Sequence, residues 1–165
     1  MKNKSVNILI VSFLLIGVMS VMLIVFLGQA KEDFPKDITV GADGTTETVM
    51  SVRELKLSPT ESKEYSVNLV CAASGSYLVS LDFEQENDGG MKAFVDVTVK
   101  HDDEVVYEGG LSELLDSDVI IDFESELHAK EPVVITVCYE MPYDVGNEAQ
   151  GTYASFDIHL KIEKI

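Results

Sequence analysis

A long segment without charge near the N-terminus limits most strongly what this chain can be. Residues 7–28 read NILIVSFLLIGVMSVMLIVFLG and include no charged side chain. About 20 apolar residues in a helix span the hydrocarbon core of a bilayer, whereas a helix on a soluble domain has a polar face. We therefore expect one N-terminal transmembrane or signal helix, through which the chain contacts a membrane.

The charges on either side of this segment predict its orientation. Lys2 and Lys4 precede it, and Glu32 and Asp33 follow it closely. Because Lys and Arg favour the cytoplasmic side, we expect a single-pass protein of the cell membrane with its C-terminal domain extracytoplasmic. Gly28-Gln29-Ala30 has small residues at the spacing of a signal-peptidase site. The alternative is therefore a secreted protein, cleaved after Ala30.

The exported part is strongly acidic. The chain has 12 Lys and Arg against 29 Asp and Glu, and residues 1–30 hold two of the bases and none of the acids. Residues 31–165 therefore carry 10 bases and 29 acids, a net charge of −19. Phosphate backbones and anionic lipids attract positive charge. This balance argues against a nucleic-acid partner and against electrostatic docking on anionic lipid.

Short runs of β-branched and aromatic residues follow residue 49, separated by turn residues. In Tyr65–Ala73 and Tyr153–Ile162, every second residue is apolar. About eight such strands, without a long helical pattern, predict an all-β fold, an antiparallel β-sandwich of jelly-roll type. Ser74-Gly75-Ser76 reads as a tight turn between two arms of a hairpin, and His101-Asp102-Asp103 as another. Leu111–Leu115 fits one helical turn.

The same pass predicts three parts of the chain. Residues 1–30 are the membrane anchor or signal peptide, residues 31–48 a tether or donor strand, and residues 49–165 the β-sandwich domain. Residues 34–48 are polar and contain Pro35, Gly41 and Gly44, a composition that suits a flexible spacer.

The two cysteines, Cys71 and Cys138, allow two interpretations. In an oxidising compartment outside the cell they form a candidate disulfide. The alternative is a pair of buried free thiols, since both lie within apolar runs and neither has a histidine close in sequence.

No motif for catalysis or cofactor binding is present. His101, His128 and His159 are not part of an HExxH sequence, and no GxSxG or phosphate-binding glycine loop occurs. The chain is therefore predicted to be no enzyme, to bind no cofactor and to have no catalytic or metal-binding residues.

Clustered acids offer Ca²⁺ as one alternative ligand. They lie at Asp102–Glu104, and again at Asp116, Asp118, Asp122 and Glu124, but neither cluster has the EF-hand pattern. We favour a solvated acidic surface, because a chain with 29 acids brings some together by chance.

The sequence near the C-terminus resembles one known family. Residues 141–151 read MPYDVGNEAQG and are followed by Phe156-Asp157; residues 106–114 read VYEGGLSEL, and Leu57-Ser58-Pro59 stands further upstream. These segments are similar to the TasA/camelysin-like family of Gram-positive surface and biofilm-matrix proteins, over roughly residues 49–161. Residues 60 and 61 are Thr and Glu where the family usually has Gly and Asp.

The resemblance implies a jelly-roll domain on the cell surface or in the matrix. In fibre-forming members, an N-terminal strand of one subunit completes the sheet of the next, and Phe34–Val52 is the candidate donor strand here. The expected function is a non-enzymatic surface or matrix protein, a subunit or a membrane-tethered base of biofilm-type fibres. Some members carry a metallopeptidase label, which the histidines of this chain do not support. The alternative function is a small acidic extracellular binding module for Ca²⁺, a glycan or a protein partner.

The closing loop has a structural interpretation of its own. Its motif residues are Pro142, Asp144, Gly146, Asn147 and Gln150. Proline has no N–H for a strand partner, and a Gly-Asn pair suits a sharp reversal. We therefore interpret the motif as architectural rather than catalytic.

Overall fold

The computed structural model describes residues 34–41 and 43–165. The predicted membrane segment 7–28 and the cleavage position after Ala30 lie outside the described residues. Within the described ranges, no helix combines the length and the hydropathy needed to cross a membrane.

The described part of the chain consists mainly of strands joined by short connections. It contains nine strands, one α-helix and two 3₁₀ turns. In chain order these are β1 Asp37–Val40, β2 Thr45–Leu55, β3 Ser62–Cys71, β4 Gly75–Asp88, the 3₁₀ turn Met91–Phe94, β5 Asp96–His101, β6 Glu104–Gly110, α1 Leu111–Asp116, β7 Ile120–Leu127, β8 Val133–Glu140, the 3₁₀ turn Asn147–Ala149 and β9 Ala154–Lys164.

The strands form two sheets. One has five strands in the order β1-β3-β8-β5-β6, and the other has four in the order β2-β9-β4-β7. All neighbours are antiparallel except β1 and β3. Apolar side chains from both sheets meet in one buried core. The prediction of an all-β sandwich is confirmed, with one strand more than the expected eight.

The two strands with the clearest alternation lie as predicted. In β3 the inward side chains are Tyr65, Val67, Leu69 and Cys71. In β9 they are Ala154, Phe156, Ile158, Leu160 and Ile162. Successive side chains of a strand point to opposite faces, so this alternation alone determines which face enters the core.

The hairpin predicted at Ser74-Gly75-Ser76 is wrong. The strands on either side, β3 and β4, lie in different sheets, and the connection between them crosses from one layer to the other. A sandwich lets the apolar faces of both strands meet across the core, and a local turn signal does not distinguish that crossing from a hairpin. The turn at Asp102-Asp103 does join β5 and β6 as an antiparallel hairpin, and α1 forms where one helical turn was expected.

Residues 37–40 and 45–48 belong to the sheets of the domain. β1 lies beside the edge of β3 with Asp37 opposite Asn68 and Val40 opposite Cys71, and Ile38 and Val40 are buried. β2 begins at Thr45, so a domain boundary at residue 48 falls inside a strand. The pairing with β3 explains the difference, because a four-residue strand is recognisable only beside its neighbour.

A sharp turn joins β1 to β2 and carries the chain from the five-stranded sheet to the four-stranded sheet. Gly44 is buried there with φ +80°, and its N–H donates to the carbonyl of Gly41 at 3.0 Å. A Cβ at Gly44 would lie 2.6 Å from Cβ of Lys164. Only glycine fits both the left-handed backbone and this close approach.

Candidate functional site

Two sequence segments of the family resemblance lie side by side at one end of the sandwich. The loop after β2 and the loop between β8 and β9 line a cavity of about 510 Å³, which we call the end cleft. It is lined by Lys56, Leu57, Ser58, Pro59, Glu61, Val145, Gly146, Asn147, Ala149, Gln150, Gly151 and Thr152. The sequence marked both loops, but not their contact, because they are more than eighty residues apart in the chain.

Backbone hydrogen bonds hold the two loops together. The N–H of Thr60 donates to the carbonyl of Met141 at 2.8 Å, and the N–H of Met141 donates to the carbonyl of Glu61 at 3.1 Å. Met141 is fully buried, so the first residue of the closing loop is fixed by the loop opposite. The motif residues that follow Met141 therefore start from a fixed position.

Five motif positions of the closing loop differ in exposure. Pro142 is half-buried, whereas Asp144, Gly146, Asn147 and Gln150 are exposed. The Gln150 side chain donates from Nε2 to Oδ1 of Asn147 at 3.2 Å.

The charged side chains of the end cleft are already paired. Lys56 Nζ lies 2.7 Å from Oε2 of Glu54, and Lys56 lowers the pKa of that carboxyl by hydrogen bonding and by its charge. Oε2 of Glu61 accepts a hydrogen bond from the backbone N–H of Ser58 at 2.8 Å. The lining therefore holds one cation and one anion, and each has a partner within the protein.

A second candidate site is the edge of the five-stranded sheet that β1 covers. The ring of Phe34 lies 4.9 Å from the ring of Tyr65. Asn68 anchors the segment: its backbone N–H donates to the carbonyl of Lys36 at 2.9 Å, and its Nδ2 donates to Oδ1 of Asp37 at 2.7 Å. We call residues 34–40 the edge segment.

The segment VYEGGLSEL of the resemblance is structural. It forms the end of β6 and the start of α1, where Leu111 and Leu114 are fully buried. The N–H of Leu111 donates to the carbonyl of Val95 at 2.8 Å. These contacts attach the helix to the sheet.

The candidate disulfide between Cys71 and Cys138 is not formed, and both residues are free thiols. Cys138 lies opposite Glu64 in the β3–β8 pair. Cys71 follows Glu64 by seven residues along β3, which is about 23 Å, whereas a disulfide needs Cα atoms about 4.4–6.8 Å apart. Burial, followed by the negative charge of Glu64, raises the pKa of the Cys138 thiol.

The three histidines lie apart in different settings. His101 is half-buried at the end of β5, rather than on the surface of the turn, and its Nε2 lies 2.9 Å from Oγ of Ser125. Ser125 belongs to β7, so this pair joins the two sheets. His159 contacts Glu84 at 3.0 Å on the outer face of the four-stranded sheet, and His128 is exposed.

The acidic clusters have structural partners. Oδ1 of Asp102 accepts the N–H of Val134 at 2.9 Å, which fixes the β5–β6 turn. Oδ1 of Asp116 lies 2.6 Å from Nζ of Lys92, and this hydrogen bond raises the pKa of the lysine. Among residues 34–41 and 43–165, no three Asp, Glu, His or Cys side chains converge as metal ligands.

Within the described residues, one buried side-chain oxygen has no hydrogen-bond partner. It is the hydroxyl of Tyr139, and burial raises the pKa of this group well above that of a free tyrosine. Its ring lies between Tyr65 at 5.8 Å and Phe156 at 5.6 Å. Aromatic contacts therefore run from the edge segment across the core into β9.

No family model matches the chain, and no curated protein does. Among solved structures, it is similar to a sugar-binding protein, the EclA C-terminal domain, at 15% identity and a TM-score of 0.41, over 72% of this chain and 79% of that one. It is similar to a family 35 carbohydrate binding module from Clostridium thermocellum at 10% identity and a TM-score of 0.37, over 72% and 92%. It is also similar to PliG of Aeromonas hydrophila, a periplasmic inhibitor of g-type lysozyme, at 9% identity and a TM-score of 0.34, over 78% and 96%. With TM-scores below 0.5, we infer nothing from them about what this chain binds.

Proposed function

We propose that the chain is a non-enzymatic extracytoplasmic surface or matrix protein of the TasA/camelysin-like kind. It is held in the membrane through residues 7–28 or released by cleavage after Ala30. It serves as a subunit, or as the membrane-tethered base, of biofilm-type fibres. The observation that carries this proposal is the edge segment, a short strand that is added to the side of the sandwich.

The strand order supports this interpretation. Without β1, the strand orders of the two sheets are β2-β9-β4-β7 and β3-β8-β5-β6. We assign these eight strands to the jelly-roll class. β1 is then an addition outside that set, with one neighbour, and it pairs in parallel over residues 37–40.

The contacts of the edge segment could equally be made by another copy. Ile38 and Val40 enter the core, and the backbone extends the sheet, which is how peptides bind by β-augmentation. If each copy gives its segment to the next, the contact is heterologous and generates an open fibre. The connection between β1 and β2 is then the hinge that opens.

A reversible lock tests whether the edge segment is exchanged. Asp37→Cys with Asn68→Cys joins two residues that lie opposite each other, in a Cys138→Ser background of the full-length chain in detergent. We expect oligomers that grow with concentration in the reduced protein. Protein that is oxidised while dilute and monomeric should instead stay monomeric when it is concentrated, measured by size-exclusion chromatography with light scattering.

The matched control is Glu47→Cys with Lys161→Cys, which locks β2 to β9 in the other sheet. This pair should assemble equally well when it is oxidised and when it is reduced. The proposal is wrong if the reduced edge-lock variant stays monomeric at every concentration, or if its oxidised form assembles just as far.

The second candidate function is a small binding module, and the end cleft is the observation that favours it. Its volume of about 510 Å³ lies within the range of small-molecule sites. Substitutions in the cleft would then abolish binding without affecting assembly.

A further inference from the structure

We infer that the end cleft binds an uncharged saccharide, an inference that rests on the second candidate function above. The first argument is electrostatic. The chain carries a net charge of −17, yet the charged lining residues, Lys56 and Glu61, have partners within the protein. A cation would be drawn to the acidic sheet faces instead, and an anion would be repelled by the whole domain.

The polar side chains of the cleft suit hydroxyl groups. Asn147 and Gln150 are exposed, and their mutual hydrogen bond leaves the amide group of Asn147 and the carbonyl oxygen of Gln150 for a ligand. The hydroxyl of Thr152 donates to the carbonyl of Ala149 at 2.7 Å and still accepts. Neighbouring donors and acceptors match vicinal hydroxyls, each of which both donates and accepts.

The apolar lining supplies the complementary surface. Leu57 and Ala149 are buried beneath the cleft, and Val145 is half-buried at its side. A sugar ring has a face of C–H groups, and burying it on such a floor is favourable. Apolar surface with a few placed polar groups is the usual composition of a ligand site.

The backbone of the cleft distinguishes a saccharide from a peptide. Peptides are commonly bound by main-chain pairing to a free edge. Here the N–H groups of Gln150, Thr152 and Glu61 donate within their own loops at 3.0, 3.2 and 2.9 Å. Recognition therefore falls to side chains, which favours a polyhydroxylated ligand.

The test uses maltohexaose, cellohexaose and chitohexaose as neutral probes, with hexagalacturonate as the anionic comparison. The full-length chain is studied in a sugar-free detergent by calorimetry and by amide NMR. We expect at least one neutral hexasaccharide to bind and to shift resonances of residues 56–61 and 145–152. Asn147→Ala combined with Gln150→Ala should weaken that binding at least tenfold. Asn87→Ala, an exposed amide on β4, should not change it.

The inference is overturned if none of the three neutral probes binds, or if hexagalacturonate binds more tightly than they do. Shifts of the cleft resonances by an uncharged Gly-Ser decapeptide, with none from the saccharides, would overturn it as well and support a peptide-binding module. Neither result affects the fibre proposal, because the disulfide lock tests that separately.

Discussion

The first and last strands of the described domain are held in opposite ways. β9 has 11 residues and lies between β2 and β4, so both of its edges are paired. β1 has four residues and one neighbour, β3. Both send apolar side chains into the core, five from alternate positions of β9 and two from β1. Both strands are buried on one face, but β9 is paired along two edges and β1 along one. Burial alone therefore does not determine how strongly a strand is held in the fold.

This difference separates the stability of the fold from the attachment of one strand. Loss of the pairing of β9 removes the centre of a sheet, so we expect the domain to unfold. Loss of the pairing of β1 removes the hydrogen bonds to one neighbour and exposes the edge of β3. Local opening requires less free energy than global unfolding, so a detachable strand can coexist with a stable sandwich.

The largest effect is expected from Phe156→Ala in β9. Phe156 is fully buried and contacts the rings of Tyr139 and Phe83. Its removal leaves a cavity between the sheets and should lower the free energy of unfolding by about 3–5 kcal/mol, measured by urea denaturation. Val49→Ala, on the exposed face of β2, is the control and should change it by no more than about 0.5 kcal/mol. A similar loss in both variants would contradict the central role of β9.

A smaller effect is expected from Ile38→Ala in β1. Ile38 is 6% exposed, and truncating a buried isoleucine costs about 2–5 kcal/mol. If β1 detaches while the rest of the sandwich stays folded, as we propose, the cost should lie at the lower end, about 2 kcal/mol. Hydrogen exchange should quicken at Thr39 and Val40 while the amides of β9 keep their protection. Equal loss of protection in both strands would show that β1 does not open separately.

The smallest effect is expected on the reactivity of the Cys138 thiol, with no change in the free energy of unfolding. Burial and Glu64 raise the pKa of Cys138. The thiolate is the reactive form, so the alkylation rate of Cys138 should rise with pH around a midpoint above that of a free cysteine. Glu64→Gln should move the midpoint downward. A midpoint below that of free cysteine would refute this.

Cys71 provides the matching measurement next to the edge segment. It is 2% exposed and lies opposite Val40. In the folded protein it should resist alkylation, and Ile38→Ala should make it react sooner by letting β1 open. Its reactivity therefore reports β1 directly, while Cys138 reports an unchanged sheet.

What could be predicted from the sequence depends on how local the signal is. The alternation of apolar residues in β3 and in β9 is visible within each strand, and the β5–β6 turn lies within three residues. These three predictions were therefore correct. The β3–β4 crossing was not, because a turn of the same composition serves inside one sheet or between two. Strand β1 remained one of two alternatives, a tether or a donor strand, for a related reason: Ile38-Thr39-Val40 is too short to be distinguished from a linker without β3.

The candidate sites show the same limit. Sequence marked the closing loop and Leu57-Ser58-Pro59 separately, but the end cleft exists only where the fold joins them. The two cysteines were a candidate pair because the domain is expected to be exported to an oxidising compartment, yet the β3–β8 register separates them. Distances across a sheet depend on pairing partners, which a single sequence does not encode locally.

The position of β9 also determines when folding can finish. Its pairing with β2 joins Thr45 to Glu163, so the contact spans almost the whole described chain. Contacts between residues so far apart in sequence form slowly, because a long loop must close first. During synthesis the four-stranded sheet therefore has no centre until residues 154–164 emerge. Until then the apolar faces of β2 and β4 lack the strand that lies between them, so the core cannot close over either of them.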